Sequence, residues 1–101
     1  MAARNDTNEM TLDRVEVKMP GKYNVIFHND NKTPIEFVVQ VLINIFSYNS
    51  EDALRLTLRI EQEGQGVAGT YIKSIADAKA SLVREVAIKA SYPLLVTVEK
   101  A

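Results

Sequence analysis

The sequence predicts a small α+β domain in which one sheet is covered on one side by helices. Its 101 residues, of which 47% are hydrophobic and 25% charged, suffice for one domain with one core. Short β-rich runs bounded by turn residues alternate with longer runs that have helical spacing. These runs give the element order βααβαβ, and so few strands are typical of a single small sheet.

A polar turn separates the first strand from the first helix. Residues 23–28 (YNVIFH) are β-rich, and the turn residues 29–31 (NDN) follow them. Thr33 is expected to cap a helix whose first residue is the proline that follows, and Glu36 to complete a capping box. Apolar residues with helical spacing extend this helix to about Ser47.

The second helix is expected to begin at Ser50 and to end at Gly64, because glycine favours the left-handed conformation of a helix C-cap. Acidic residues near its start suit the positive end of the helix dipole. Its apolar residues are Leu54, Leu56, Leu58 and Ile60.

The second half of the chain supplies a strand, a helix and a last strand. Residues 66–72 are predicted to form the second strand. Ser74 is expected to cap the third helix, which reaches about Ala90. A break at Pro93 separates it from the last strand, residues 94–98 (LLVTV).

Residues 1–21 are mixed in charge and aperiodic, and they end in Pro-Gly. We expect them to be a flexible N-terminal extension, the alternative being a terminus without function, and residues 22–101 to be the core domain. The start of the chain carries charges where a signal peptide needs an apolar core, and no apolar run approaches a membrane span. The expected location is therefore the cytoplasm, with no membrane contact.

Composition excludes several classes of function. With 12 basic and 13 acidic residues, a nucleic-acid partner is not expected. The absence of cysteine excludes a thiolate zinc or iron–sulfur site, and with a single histidine no metal site built from histidines is expected. Residues 64–69 (GQGVAG) have the glycine spacing of a dinucleotide-binding turn. Such a turn follows a strand and begins a helix, whereas this segment is expected to follow a helix and begin a strand.

No group of residues resembles a catalytic site. Glu61 and Glu63 lie two apart on one helix and face different directions, which makes them a poor acid–base pair. His28 has no partner for a nucleophile or metal site and is interpreted as a surface or packing residue. The sequence therefore predicts a binding module and not an enzyme.

The polar turn and the second helix together form a candidate binding site. Asn29 and Asp30 offer acceptors beside an apolar face of the first helix, and one patch of the second helix holds Thr57, Ile60 and Glu61. Such a site suits a ligand with one cationic end and one apolar side chain. The alternative is that Asn and Asp only form the turn.

Residues 28–38 (HNDNKTPIEFV), preceded by YNVI, resemble the signature of ClpS, the adaptor that delivers N-end-rule substrates to the Clp protease. The likeness continues in order to the C-terminal YPLLVTVEKA and covers about residues 22–101. It implies a three-stranded antiparallel sheet packed against three helices, a non-enzymatic adaptor and no cofactor.

The resemblance also implies a site. ClpS-like proteins bind the first residue of a substrate, typically Leu, Phe, Tyr or Trp, and hold its free α-ammonium group. Carried onto this chain, the groups that bind the α-amino group are Asn29, Asp30 and Glu61. The hydrophobic pocket is formed by Ile35, Val38, Thr57, Ile60 and Leu94.

The chain departs from the family pattern within this site. Asn31 stands where the family usually has a second Asp, and Glu61 where it usually has His. We interpret Glu61 as a functional replacement that also supplies the missing charge. Ile35 and Thr57 stand where Met is usual, so we expect an altered preference that favours Tyr, Trp or Phe over Leu.

The implied partner is the N-terminal domain of a ClpA- or ClpC-type AAA+ unfoldase, with N-degron peptides and proteins as the cargo of a monomeric adaptor. The unfoldase contacts map to Lys79, Asp77 and Ser74, although Ser74 replaces a usual acid and Ile72 a usual Thr. We therefore expect the surface formed by these contact residues to suit an unfoldase different from the usual partner of the family. The alternative function is a ClpS-like regulator that docks on the unfoldase and modulates substrate choice without recognising N-termini.

Overall fold

A computed structural model describes residues 20–101, and within them three strands and three helices follow in the predicted order. Apart from its last two residues, the predicted extension 1–21 lies outside the described residues. The elements are β1 (Lys22–His28), α1 (Ile35–Phe46), α2 (Ser50–Glu63), β2 (Gln65–Ile72), α3 (Lys73–Lys89) and β3 (Leu95–Lys100).

The first strand, β1, is the centre of the sheet. In the described part of the chain the strand order is β2-β1-β3, and β1 pairs antiparallel with both neighbours. The register with β2 shifts after Val25, because Val25 pairs with Gly69 whereas Ile26 pairs with Val67. Ala68 is the extra residue of this bulge, which bends β2. The predicted antiparallel sheet is confirmed.

All three helices pack on one face of the sheet. Val25 and Phe27, two apart on β1, are fully buried and point into this core. The helix α3 contributes mainly small residues, which allow it to lie close to the strands. The core comprises Val25, Phe27, Val38, Val41, Leu42, Phe46, Ala53, Ile60, Ala68, Ala76, Ala80, Val83, Ala87, Leu94 and Val96.

The start of α1 differs from the prediction. Pro34 is the N-cap and not the first helical residue, and no side chain makes a capping hydrogen bond, so neither Thr33 nor Glu36 forms a capping box. The amide of Thr33, which Glu36 would accept in a capping box, donates instead to Asp30, and the hydroxyl of Thr33 also donates to Asp30 and is thereby oriented toward the preceding turn. The end of α1 at Phe46, with Ser47 as C-cap, agrees with the prediction.

The second helix has the predicted bounds but a different cap. It begins at Ser50, yet the cap is Asn49, whose side-chain oxygen accepts a hydrogen bond from the amide of Asp52 at 2.8 Å. It ends at Glu63, and Gly64 adopts a positive φ of 93° as the C-cap, as predicted.

The third helix begins two residues earlier than predicted, because a cap at Ser74 places the first helical residue at Ile75. It begins at Lys73, so Ser74 lies inside the first turn and does not cap it. The N-cap position is held by Ile72, which makes no side-chain cap hydrogen bond. At the other end α3 stops at Lys89, within one residue of the expected end.

Only one side of α2 faces the sheet. Its buried residues are Ala53, Thr57 and Ile60, which are spaced four and three apart along one face. Leu54 and Leu58 each follow a buried residue by one position, which turns both to another side of the helix, where they are exposed. None of the helices in residues 20–101 has the length and apolar character needed to cross a membrane.

Candidate functional site

The turn after β1 is built around the carboxylate of Asp30. Its Oδ1 accepts hydrogen bonds from the amides of Lys32 and Thr33, both at 2.7 Å. Its Oδ2 accepts the hydroxyl of Thr33 at 2.8 Å. A short polar side chain that binds the amides two and three residues ahead stabilises a tight turn. The carboxylate is therefore held in a defined place before any ligand arrives.

Asp30 is charged at neutral pH. Burial raises the pKa of its carboxyl group, but the hydrogen bonds from Lys32 and Thr33 and the positive charge of Lys32 lower it by more. The pKa consequently lies below the usual value of 3.8. A carboxylate has about four lone-pair positions, and the turn uses three, so Oδ2 can accept one more hydrogen bond.

A backbone hydrogen bond connects this turn to the end of α2. The amide of Asn29 donates to the carbonyl of Gly64 at 2.9 Å. Because Gly64 closes the last turn of α2, the bond holds Asn29 close to Glu61, and the side chains of both are exposed. Within residues 20–101, no lysine or arginine forms an ion pair with Glu61. The carboxylate of Glu61 therefore adds a second negative charge at this rim.

A cavity of about 330 Å³, counting its solvent-open part, lies between the turn, α1, α2 and the start of β3. All eight residues predicted for amine binding and for the hydrophobic pocket line it. Polar groups of the turn and the end of α2 form one part of the wall, and mainly apolar side chains form the rest. The lining residues are Phe27, His28, Asn29, Asp30, Thr33, Ile35, Val38, Thr57, Ile60, Glu61 and Leu94.

Thr57 is less polar toward the cavity than its residue type indicates. Its side chain is almost completely buried, and its hydroxyl donates a hydrogen bond to the carbonyl of Ala53 at 2.7 Å. This bond within the helix uses the only hydroxyl hydrogen, so Thr57 can accept a hydrogen bond from a ligand but cannot donate one. The wall at this position therefore serves mainly as an apolar surface.

Three lining residues were not predicted from the sequence, namely Phe27, His28 and Thr33. Phe27 and His28 end β1, and Thr33 ends the turn. Their closeness in sequence to the predicted turn residues could have identified them as lining residues. The ring Nε2 of His28 lies 2.8 Å from the hydroxyl oxygen of Thr97 on β3. This bond explains His28 as a packing residue and also fixes its ring at the edge of the cavity.

The residues predicted to contact an unfoldase lie elsewhere, on the first turns of α3. Ser74 and Asp77 are exposed, and none of the three predicted residues lines the cavity. The carboxylate of Asp77 pairs with Lys73 at 2.8 Å.

Lys79 has a structural role of its own. Its ammonium group donates to the carbonyl of Ile45 at 2.7 Å, near the end of α1. The same group lies 5.5 Å from the ring centre of Phe46 and 5.2 Å from that of Tyr71. Lys79 therefore links α3 to the end of α1, and sequence reasoning missed this role because the bonded residues lie 34 positions apart.

Neither a metal-ligand cluster nor a phosphate-binding glycine turn is found among the described residues. Within residues 20–101 no group of three or more His, Cys, Asp or Glu side chains could hold a metal ion. The segment 64–69 enters β2 from a helix C-cap, so its glycines do not open a helix toward a phosphate.

Comparison with protein families gives a match that spans most of the chain. Residues 18–97 match the family model described as "ATP-dependent Clp protease adaptor protein ClpS". The match covers β1, both helices that border the cavity, and the turn between β1 and α1.

Individual relatives agree with the family match. The ClpS adapter protein of Maricaulis maris (strain MCS10) is 42% identical over 94 residues, which cover 93% of this chain and 86% of the relative. That of Sodalis glossinidius (strain morsitans) is 41% identical over 100 residues, covering 97% of this chain and 94% of the relative.

A solved structure extends the similarity to the fold. The structure of Agrobacterium tumefaciens ClpS2 bound to L-phenylalaninamide has a TM-score of 0.79 and is 30% identical in sequence. The match covers 82% of this chain and all of that chain. The ligand of that structure is an amino-acid amide with a free amine and an aromatic side chain.

Proposed function

Because the chain belongs to the ClpS family of ATP-dependent Clp protease adaptor proteins, we propose that it binds proteins with a bulky hydrophobic N-terminal residue and delivers them to a ClpA- or ClpC-type AAA+ unfoldase. Membership of an adaptor family agrees with the expectation that the chain is not an enzyme. The proposal concerns which substrates the adaptor reads and which residues read them.

One observation carries the proposal: the cavity combines a polar rim bearing two carboxylates with an aliphatic interior. A free α-ammonium group has three N–H donors and one positive charge. Asp30 offers one unused acceptor position and Glu61 a second carboxylate, and the amide oxygen of Asn29 supplies a third acceptor. Such charge-assisted hydrogen bonds are about twice as strong as neutral ones.

The aliphatic part of the cavity accepts the first side chain. Ile35, Val38, Ile60 and Leu94 contribute no polar side-chain atoms, and the hydroxyl hydrogen of Thr57 is already bonded to Ala53. Burial of a Leu or Phe side chain is worth roughly 1.5–3 kcal/mol. The phenylalaninamide bound to Agrobacterium tumefaciens ClpS2 is consistent with a ligand of this kind.

The wall chemistry also supports a preference for aromatic first residues. Thr57 and Ile35 occupy positions where the family usually has the longer Met, and the β-branched Ile35 has a restricted χ1 angle. Shorter side chains leave more room in the cavity for a first side chain, and a stiffer side chain adapts less to its shape. We expect Phe, Tyr and Trp to bind more tightly than Leu.

Delivery requires a second surface that is separate from the cavity. Asp77 and Ser74 are exposed on α3 and do not line the cavity, so an unfoldase domain could contact them while a substrate is bound. Lys79, whose ammonium group is bonded within the chain, would act there by holding α3 in place. In this proposal the adaptor works as a monomer in the cytoplasm, where its unfoldase partner acts.

The test is a fluorescence-anisotropy titration with labelled peptides that begin with Leu, Phe, Tyr, Trp, Ile or Ser. Peptides with Leu or an aromatic first residue are expected to bind, and the Ser peptide is not. Acetylation of the Phe peptide removes the positive charge and two of the three donors, so its affinity is expected to fall by at least about a hundredfold.

The same titration can contradict the proposal. If a folded sample binds none of the peptides but still associates with an unfoldase, the chain is a regulator that docks without recognising N-termini. If the acetylated Phe peptide binds as tightly as the free one, the polar rim does not hold the amine.

A further inference from the structure

Resting on the proposed function, we infer that Gly66 determines which first side chains fit the cavity, although Gly66 does not line it. Gly66 lies on β2 behind Ile60, one of the pocket residues. Its missing side chain lets α2 approach the sheet, and this approach sets the position of one cavity wall.

The contact between Gly66 and α2 is very close. A Cβ atom at residue 66 would lie 2.8 Å from Cγ1 of Ile60 and 3.2 Å from Cδ1 of Leu56. An ordinary contact of such atoms is 3.4–4 Å, so Ile60 would have to move by about 0.6–1.2 Å, the difference from 2.8 Å. The place of Ile60 therefore depends on glycine at position 66.

Ile60 cannot avoid such a contact by a small rotation. A β-branched side chain in a helix has one strongly preferred χ1 rotamer, and Ile60 is only 5% exposed in a packed core. Leu56, in contrast, is partly buried and presents the far end of a flexible side chain. The strain would therefore fall on Ile60 and on the backbone of α2.

A displacement of Ile60 would change the cavity. Ile60 both meets the space of a Cβ at residue 66 and lines the cavity, so a group added at residue 66 shifts part of the wall around the ligand. Phe27, the partner of Gly66 across the sheet, also lines the cavity and is fully buried. The sheet is therefore too closely packed to move away from α2 and relieve the strain.

The backbone does not require glycine at this position. Gly21 and Gly64 are the described glycines with positive φ, and Gly66 is not among them. Alanine can adopt such a conformation, and it lowers the entropy of the unfolded chain. The reason for glycine at position 66 is therefore the space behind Ile60.

The experiment measures peptide affinities and thermal stability of Gly66→Ala. We expect affinity for Phe and Trp peptides to fall roughly tenfold or more, and affinity for the Leu peptide to fall less, because pocket size discriminates between side chains at this level. Gly21→Ala is the matched control. A Cβ at Gly21 meets nothing within 4 Å. Because Gly21 has a φ of +77°, its substitution by alanine strains the backbone and lowers stability, but it does not displace a residue of the cavity wall.

A second variant tests the coupling directly. Ile60→Val keeps Cγ1, which the added Cβ still displaces, but it removes Cδ1, so the displaced side chain takes up less of the cavity. In the Gly66→Ala background it is expected to recover most of the affinity for aromatic first residues. If Gly66→Ala alone does not fold, the double variant is expected to fold.

The outcomes distinguish this inference from the proposed function. If the unmodified protein binds no peptide, the proposed function fails. If it binds but Gly66→Ala leaves the ratio of Phe to Leu affinities unchanged, the inference about Gly66 is overturned. Independent effects of Gly66→Ala and Ile60→Val, or a double variant that remains unfolded, also overturn it.

Discussion

Asp30→Asn is expected to reduce the affinity for a Phe-initiated peptide by about thirtyfold or more, with the protein still folded. Asn retains an oxygen that can accept the amides of Lys32 and Thr33, so the turn can persist. The negative charge opposite the ammonium group is lost, and removing one partner of a hydrogen-bonded charge pair costs on the order of 2 kcal/mol or more. Anisotropy titration measures the loss.

The matched control is Asp77→Asn, which removes an exposed carboxylate of α3 outside the cavity and should leave peptide affinity unchanged. Equal losses from both variants would indicate a general charge effect and contradict a specific role for Asp30.

The lowered pKa of Asp30 also predicts that the stability of the fold depends on pH. Its folded-state pKa lies below the usual value of 3.8, so its contribution to the free energy of unfolding is complete above that value. The contribution is lost as the pH falls through the lower folded-state pKa. Urea titrations at a series of acidic pH values should show a smaller difference between the unmodified protein and Asp30→Asn at the lowest pH. A constant difference would contradict this prediction.

Glu61→Ala is expected to weaken binding of the same peptide roughly tenfold, because one charge-assisted hydrogen bond to the ammonium group is lost. Glu61→Gln keeps an acceptor without the charge and should give an intermediate affinity. Glu61→His introduces the residue that is usual in the family and should retain binding. The affinities come from the same titrations.

The control for this series is Glu63→Ala, two residues further along α2, exposed and absent from the cavity wall. Its affinity should equal that of the unmodified protein. Full affinity of Glu61→Ala would show that Glu61 does not replace the usual histidine and that the second carboxylate has no part in amine binding.

The element order and most boundaries could be predicted because they depend on local signals. Gly64 ends α2 through its own backbone preference, and the β-rich run of β1 is bounded by turn residues. The caps were predicted less well. Thr33 and Glu36 have the spacing of a capping box, but the amide and the hydroxyl of Thr33 both donate to Asp30. A sequence pattern does not show whether Thr33 pairs with Asp30 or with Glu36.

The candidate site was predicted in two steps of different strength. Helical spacing placed Thr57, Ile60 and Glu61 on one patch and suggested a site beside the polar turn, whereas the role of each residue and the inclusion of Leu94 came from the resemblance. The structure brings these groups to one cavity, while their roles remain predictions. The contact of Gly66 with Ile60 could not be predicted, because it depends on how closely α2 packs on the sheet.

The central claim is that the cavity between the turn and α2 binds a free hydrophobic N-terminal residue. The most direct test is a titration of ¹⁵N-labelled protein with L-phenylalaninamide, followed by amide chemical shifts. We predict saturable shifts concentrated at Asn29, Asp30, Thr33 and the last turn of α2, with little change at the end of α3. No saturable shifts, or the largest shifts on α3, would contradict the account.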